Sequence, residues 1–108
     1  MSYELLRKAI ETRRSLTGVY DDYVRFFSPH VLGKNATGEP VVVCFQYGGG
    51  RPDGWLPKGS DWCLFEVRRL HRLEANRDDW IVGPSETKPT HLIAQIDMGV
   101  VGVLGPNE

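Results

Sequence analysis

The chain has 108 residues, 41% hydrophobic and 10% aromatic, which suits one globular domain with a modest core and is too short for two. Its 13 Lys and Arg against 14 Asp and Glu leave a net charge of −1, which gives no support to wholesale electrostatic wrapping of nucleic acid. The charge is unevenly spread: residues 1–77 hold 12 basic and 9 acidic side chains (+3), whereas 78–108 hold Lys88 against Asp78, Asp79, Glu86, Asp97 and Glu108 (−4), so an anion-binding face is expected in the first three quarters.

Ser2 is placed to cap a helix with Glu4 in its first turn, and Leu5, Leu6, Ala9, Ile10 and Arg13 follow helical spacing to about Arg14. Arg7, Lys8, Glu11 and Arg14 occupy the other side, the ordinary solvated face of such a helix. From Leu16 the period becomes two. Leu16, Gly18 and Tyr20 lead to an Asp21-Asp22 turn, and Tyr23 to Ser28 resumes as an extended run, which predicts a hairpin. Pro29 and the Gly33–Gly38 stretch, with Asn35 and Thr37, are expected to end that second strand and form another turn.

Val41, Val42, Val43, Cys44 and Phe45 are apolar on both faces and predict a central strand with Pro40 at its edge. Gly48 to Trp62 then reads as a long structureless connection, with Gly48-Gly49-Gly50 supplying mobility and Arg51, Trp55, Lys58 and Trp62 nearby, hence a flap over a binding face. After the strand Trp62 to Val67, apolar positions at Phe65, Val67, Leu70 and Leu73 shift from a spacing of two to one of three. This predicts a helical turn at about Arg68 to Leu70 before a short strand resumes. Leu92, Ala94, Ile96 and Met98 alternate as a final strand, and 99–108 form a tail with apolar residues between glycines. The sum is a mainly β (α+β) single domain: helix 1–15, then a small, strongly bent antiparallel sheet over 16–98 that closes partly into a barrel.

No apolar run approaches the roughly 20 residues that cross a bilayer, and the N-terminus has no apolar signal core, so a cytoplasmic protein without a membrane partner is expected. Cys44 and Cys63 both fall in strands without close spacing and are read as reduced core residues. Catalysis finds no footing: Ser28, Ser60 and Ser85 lack a nucleophile-elbow context, and Asp21-Asp22 and Asp78-Asp79 sit where turns favour Asp. A metal site from Cys44, Cys63, His30, His71 or His91 would need ligands from distant strands, so no metal or cofactor is expected.

Binding chemistry has more candidates. Arg25, with Tyr23 and Phe27 on the same strand face, offers a planar fork for phosphate beside aromatic rings, or a salt bridge to Asp21 or Asp22. His30 offers a hydrogen bond to a ligand or a cap on the Leu32-Gly33 turn. Gln46 offers a donor and an acceptor to a base edge, or to the backbone at the strand end. Arg68, Arg69 and Arg72, with His71, are the densest basic cluster, with Glu66 and Glu74 close enough to pair with them. Trp55, between Gly54 and Pro57, is the better stacking platform, and Trp62 reads as core.

The order "LRKAIETRRSLTGVYDDYVRFFSPHVLGKNATGE", "CFQYGGG" and "WCLFEVRRLHRL" resembles the WYL-domain proteins, closest to their small stand-alone members, over roughly Leu5 to Leu73. The likeness is carried by the helix leading to Tyr20, Arg25 before Pro29-His30, the Leu32-Gly33 and Gly38-Glu39 turns, Phe45-Gln46 with its glycines, and Trp62 to Leu70. The family's Trp-Tyr-Leu triplet is replaced by Pro40-Val41-Val42. The resemblance implies an SH3-like (Sm-like) barrel preceded by a helix, and a bacterial-type regulatory or sensing module of the kind linked to transcription that binds nucleotides or nucleic acid. Tyr20, Arg25, His30, Gln46, Trp55, Arg68, Arg69 and Arg72 are then the expected ligand-contacting set. The competing expectation is an interaction subunit without a small ligand, assembling as a homo-oligomer or with another protein through its tail or a strand edge.

Overall fold

In a computed structural model the chain is described over residues 2–51, 54–55, 61–84 and 87–99. Leu6, Ala9 and Ile10, three and four residues apart, bury one stripe of helix α1 (Ser2–Thr12). The helix stops two residues before Arg14. Arg13 turns into the left-handed region (φ 54°), Arg14 N–H donates to Ala9 O at 2.8 Å and Arg13 N–H to Ile10 O at 3.3 Å, the Schellman arrangement that satisfies the last carbonyls. The other end is tied down by Tyr3, whose hydroxyl donates to Asp97.

Strands β1 (Leu16–Tyr20) and β2 (Tyr23–Lys34) form the expected hairpin, joined by Asp21 and Asp22 at φ 51° and 68°, the positive pair of a type I′ turn. β2 does not end at Pro29. It continues to Lys34 because pairing with β3 (Pro40–Arg51) moves from Pro29↔Cys44 to Val31↔Val43, leaving His30 as the extra residue of a bulge. The extra residue also reverses the side-chain alternation. Phe27 and Leu32, five apart, therefore share one core cluster while Val31 joins another. The turn between β2 and β3 is built on Asn35, whose Oδ1 accepts from Thr37 N–H, Thr37 Oγ1 and Glu39 N–H at 3.1, 2.8 and 3.0 Å.

The glycine run is a second correction. Gly48, Gly49 and Gly50 belong to β3, with Gly48 opposite Phe26, Gly49 opposite Arg25 and Gly50 opposite Trp55 of β4 (Gly54–Trp55). A bulge at Tyr47 and a φ of 87° at Gly49 explain the glycines, since a Cβ on Gly49 would lie 2.1 Å from Val24 O. Their role is close approach of two backbones, not mobility. Of the remaining flap, residues 52–53 and 56–60, with Lys58, lie outside the described residues, as does the tail from 100 onward, while Asp61 and Trp62 belong to the next strand.

β5 (Asp61–Glu66) pairs with β3 and runs into a 3-10 turn, Val67–Arg69, one residue earlier than expected. β6 (His71–Ala75) then returns beside β1, with Gly18 facing both Arg72 and Leu73 at another bulge. Of the expected last strand, Leu92 ends a 3-10 turn (Thr90–Leu92), and β7 (Gln95–Gly99) pairs with the second half of β2. The result is mainly β, one antiparallel sheet with one N-terminal helix. β3 is central, as its composition predicts, with a core cluster on either side of it. Val42 and Cys44 join Leu6, Phe27 and Phe65 on one side, while Val41 and Val43 join Val31 and Ile93 on the other.

Candidate functional site

Arg25 projects from β2 into the interior and is only 3% exposed. Its Nε and Nη2 donate to Tyr20 O at 3.3 and 2.9 Å, and Nη1 donates to Gln46 Oε1 at 3.1 Å. The rings of Tyr20, Tyr23 and Phe65 lie 5.6, 5.8 and 5.4 Å from its guanidinium carbon. Phe27, expected beside it, packs edge-on against Phe65 instead. Gln46, fully buried, also accepts from Cys63 Sγ at 3.4 Å and donates through Nε2 to Gly48 O and Gly50 O at 2.9 and 3.2 Å. One amide thus holds the guanidinium, a thiol and the glycine segment. This is a satisfied structural hub, and its polar atoms face the protein rather than a ligand.

Tyr20 is shared between that hub and the surface. Its ring packs on Phe65 at 4.5 Å, its hydroxyl accepts from Glu66 N–H at 3.0 Å, and the Arg69 guanidinium lies 4.7 Å from its centroid. Arg69 pairs with Asp21 and, at 3.7 Å, with Glu66. Arg68, 68% exposed, lies 3.5 Å from Glu39 and 3.4 Å from Glu66. These are surface ion pairs, individually worth about 1 kcal/mol or less, and their carboxylates oppose an incoming anion.

His30 sits in the other half of the molecule. The bulge turns it inward, where Nδ1–H donates to Ser28 O at 2.8 Å and Nε2 accepts from Gly83 N–H at 3.2 Å. The ring stacks on Trp80 at 4.9 Å and meets Trp62 edge-on at 4.8 Å. Burial pushes its pKa down from 6.5 to about 4, so the neutral ring serves as a brace for the segment around Gly83. Both nitrogens are engaged by protein groups, but His30 does not cap a Leu32-Gly33 turn as expected, because Leu32 and Gly33 lie within β2, paired with Val42 and Val41.

Four of the eight expected residues, Tyr20, Arg25, Gln46 and Arg69, are therefore brought together, but around a filled interior. His30 and Arg68 are elsewhere, and the Trp55 side chain, like that of Arg51, lies outside the described residues. Arg72 is the exception. At φ 54° on the β6 bulge, it lines a hollow of about 430 Å³ with Ser2, Leu5 and Leu73. A neighbouring hollow of about 360 Å³ is lined by Leu5, Lys8, Ala9, Thr12, Arg14, Leu16 and Ala75. Both include Leu5, so the two hollows adjoin along the cleft between α1 and β6, and their linings together hold apolar residues, two hydroxyl residues and three cations.

By sequence Lys8 and Arg14 belong to the solvated side of the helix, whereas in the structure both line a hollow against β6. The available signal was Leu5, Lys8 and Thr12, which share one helix face at spacings of three and four while Leu6 and Ile10 already fill the core-facing stripe. Among the described residues, no group of three or more His, Cys, Asp or Glu gathers as a metal site, and no helix is long and apolar enough to cross a membrane. No protein-family model, curated protein or solved structure matches the chain.

Proposed function

We propose that the chain is a non-enzymatic regulatory module that binds an anionic ligand, a nucleotide or a short nucleic-acid strand, in the cleft between α1 and β6. The observation that carries this is the lining. Every charged side chain on it is basic (Lys8, Arg14 and Arg72), and they border Leu5, Ala9, Leu16 and Leu73. A nucleotide presents a phosphate for the cations and a flat base or sugar for the apolar floor, and the hollows fall in the usual size range of small-ligand sites. The same reading takes the sheet as SH3-like, as the WYL resemblance implies. The strand order β5-β3-β2-β1-β6, with a 3-10 turn joining its two outer members, supports it.

Titration calorimetry with mono- and dinucleotides and with short single-stranded DNA and RNA tests the proposal. Binding should weaken as salt is added, since counterions released on binding oppose it. Lys8→Glu and Arg72→Glu should each cost about tenfold in affinity or more. Binding indifferent to salt, or none to any nucleotide or oligonucleotide, removes the proposal.

A second reading, assembly through a sheet edge, is favoured by β6, which has a strand partner on one side only among the described residues. Leu92, just before β7, and Ile96, within it, are both exposed and add to it. A solution mass equal to one chain at high concentration would count against it.

A further inference from the structure

Cys44 on β3 and Cys63 on β5 are directly opposite in the antiparallel ladder, with Val43↔Leu64 and Phe45↔Trp62 holding the register on either side. Opposite residues project from the same face, and both thiols lie on the face that carries the larger core cluster. Opposed antiparallel residues have Cα atoms about 4.5–5.5 Å apart, inside the range of about 4.4–6.8 Å that a disulfide bridges. The two differ in access. Cys44 is sealed in the core, whereas Cys63 is half-buried and donates its thiol hydrogen to Gln46 Oε1 at 3.4 Å.

We propose that Cys44 and Cys63 form a reversible intrachain disulfide when the protein meets a hydroperoxide. The Cys63 thiolate attacks a peroxide oxygen, the O–O bond breaks, and Cys63 becomes a sulfenic acid while hydrogen peroxide loses its first water. Cys44 gives up its proton and attacks Cys63 Sγ, the S–O bond breaks, and hydroxide leaves with that proton as a second water. Two thiols are oxidised by two electrons in total, and one peroxide is reduced to two waters. Burial pushes the Cys44 thiol up, so the second step quickens as pH rises.

The consequence reaches the structural hub. Once in the disulfide, Cys63 no longer donates to Gln46 Oε1, which also accepts from Arg25 and whose amide nitrogen holds Gly48 and Gly50. The bond forms whether or not the α1–β6 cleft takes an anion, so the two proposals fail independently.

The test exposes the dilute full-length chain to hydrogen peroxide, unfolds it, alkylates it and maps the peptides by mass. The expected result is loss of both alkylatable thiols, a cross-linked peptide joining Cys44 to Cys63 within a monomer, and return of both thiols with dithiothreitol. Cys63→Ser should leave Cys44 fully alkylatable, and Cys44→Ala should stop at a sulfenic acid on Cys63 that dimedone traps. If either variant fails to fold, the cross-linked peptide of the unaltered chain decides alone. Cys63 oxidised beyond the sulfenic acid, or bridging two chains, with Cys44 still alkylatable would overturn the proposal. So would no reaction at either thiol.

Discussion

His30 and Arg25 are polar side chains placed among apolar ones, and each is held by protein groups that the local sequence does not announce. For His30 the consequence is a pH dependence with a defined sign. Its pKa in the folded protein is lowered from 6.5 to about 4 by burial, so between these values the unfolded chain binds a proton that the folded one does not. Stability is unaffected above about 6.5 and falls with pH below it, by about 3 kcal/mol once pH reaches about 4. Urea unfolding midpoints measured from neutral pH downward should show this slope, and His30→Gln should flatten it. Asp97, lowered by its bonds from Tyr3 and Lys34, contributes in a separate window: its stabilisation is present above 3.8 and is lost below. For Arg25 the consequence concerns folding. Truncation to Ala would strip Gln46 Oε1 of its guanidinium donor and Tyr20 O of two donors inside the protein, at a cost of about 3 kcal/mol. Chemical denaturation of Arg25→Ala should therefore show a large loss of stability, while any ligand affinity of the folded fraction stays unchanged. That these residues mattered was readable from their position in apolar strands. That they were already satisfied was not, because the acceptors belong to residues 20, 46 and 28 and the donor facing His30 to residue 83, which bulges and a distant loop bring into reach.

At the level of elements, hydrophobic period identified the helix, the first hairpin, the central strand, the turn into β6 and most of β7. The failures share a cause. Pro29 and Gly48–Gly50 are composition signals for a break, yet both lie in strands, because a bulge lets a ladder absorb a residue that cannot donate or a backbone that must come close. Two substitutions contrast a turn with a strand at positive φ. Asp22 holds a left-handed conformation (φ 68°) that glycine adopts without strain, so Asp22→Gly should stabilise the hairpin by about 1 kcal/mol, read as a rise in thermal midpoint. Gly49→Ala should do the reverse, by about 2 kcal/mol or more, since its Cβ meets Val24 O on a backbone with φ 87°. If Gly49→Ala is neutral, the segment is the flexible connection its composition suggests and not a strand.

For the molecule as a whole, basic residues of the first three quarters divide between surface ion pairs and the linings of the two hollows. The basic excess of the first three quarters does include the cleft, but the densest arginine run, Arg68-Arg69, is spent on Glu39, Glu66 and Asp21. The cations beside the hollows come from α1 (Lys8), from the turn that follows it (Arg14) and from the β6 bulge (Arg72), parts of the chain more than fifty residues apart in sequence that meet because β6 returns alongside β1. No local pattern encodes that return; the pairing of the sheet does. The most direct measurement is a backbone amide NMR titration with a nucleotide. Anion binding in the cleft predicts shifts concentrated at Leu5, Lys8, Ala9, Arg72 and Leu73 that fade as salt is added. Shifts centred instead on Tyr20, Arg25 and Gln46, or none at saturating nucleotide, would contradict it.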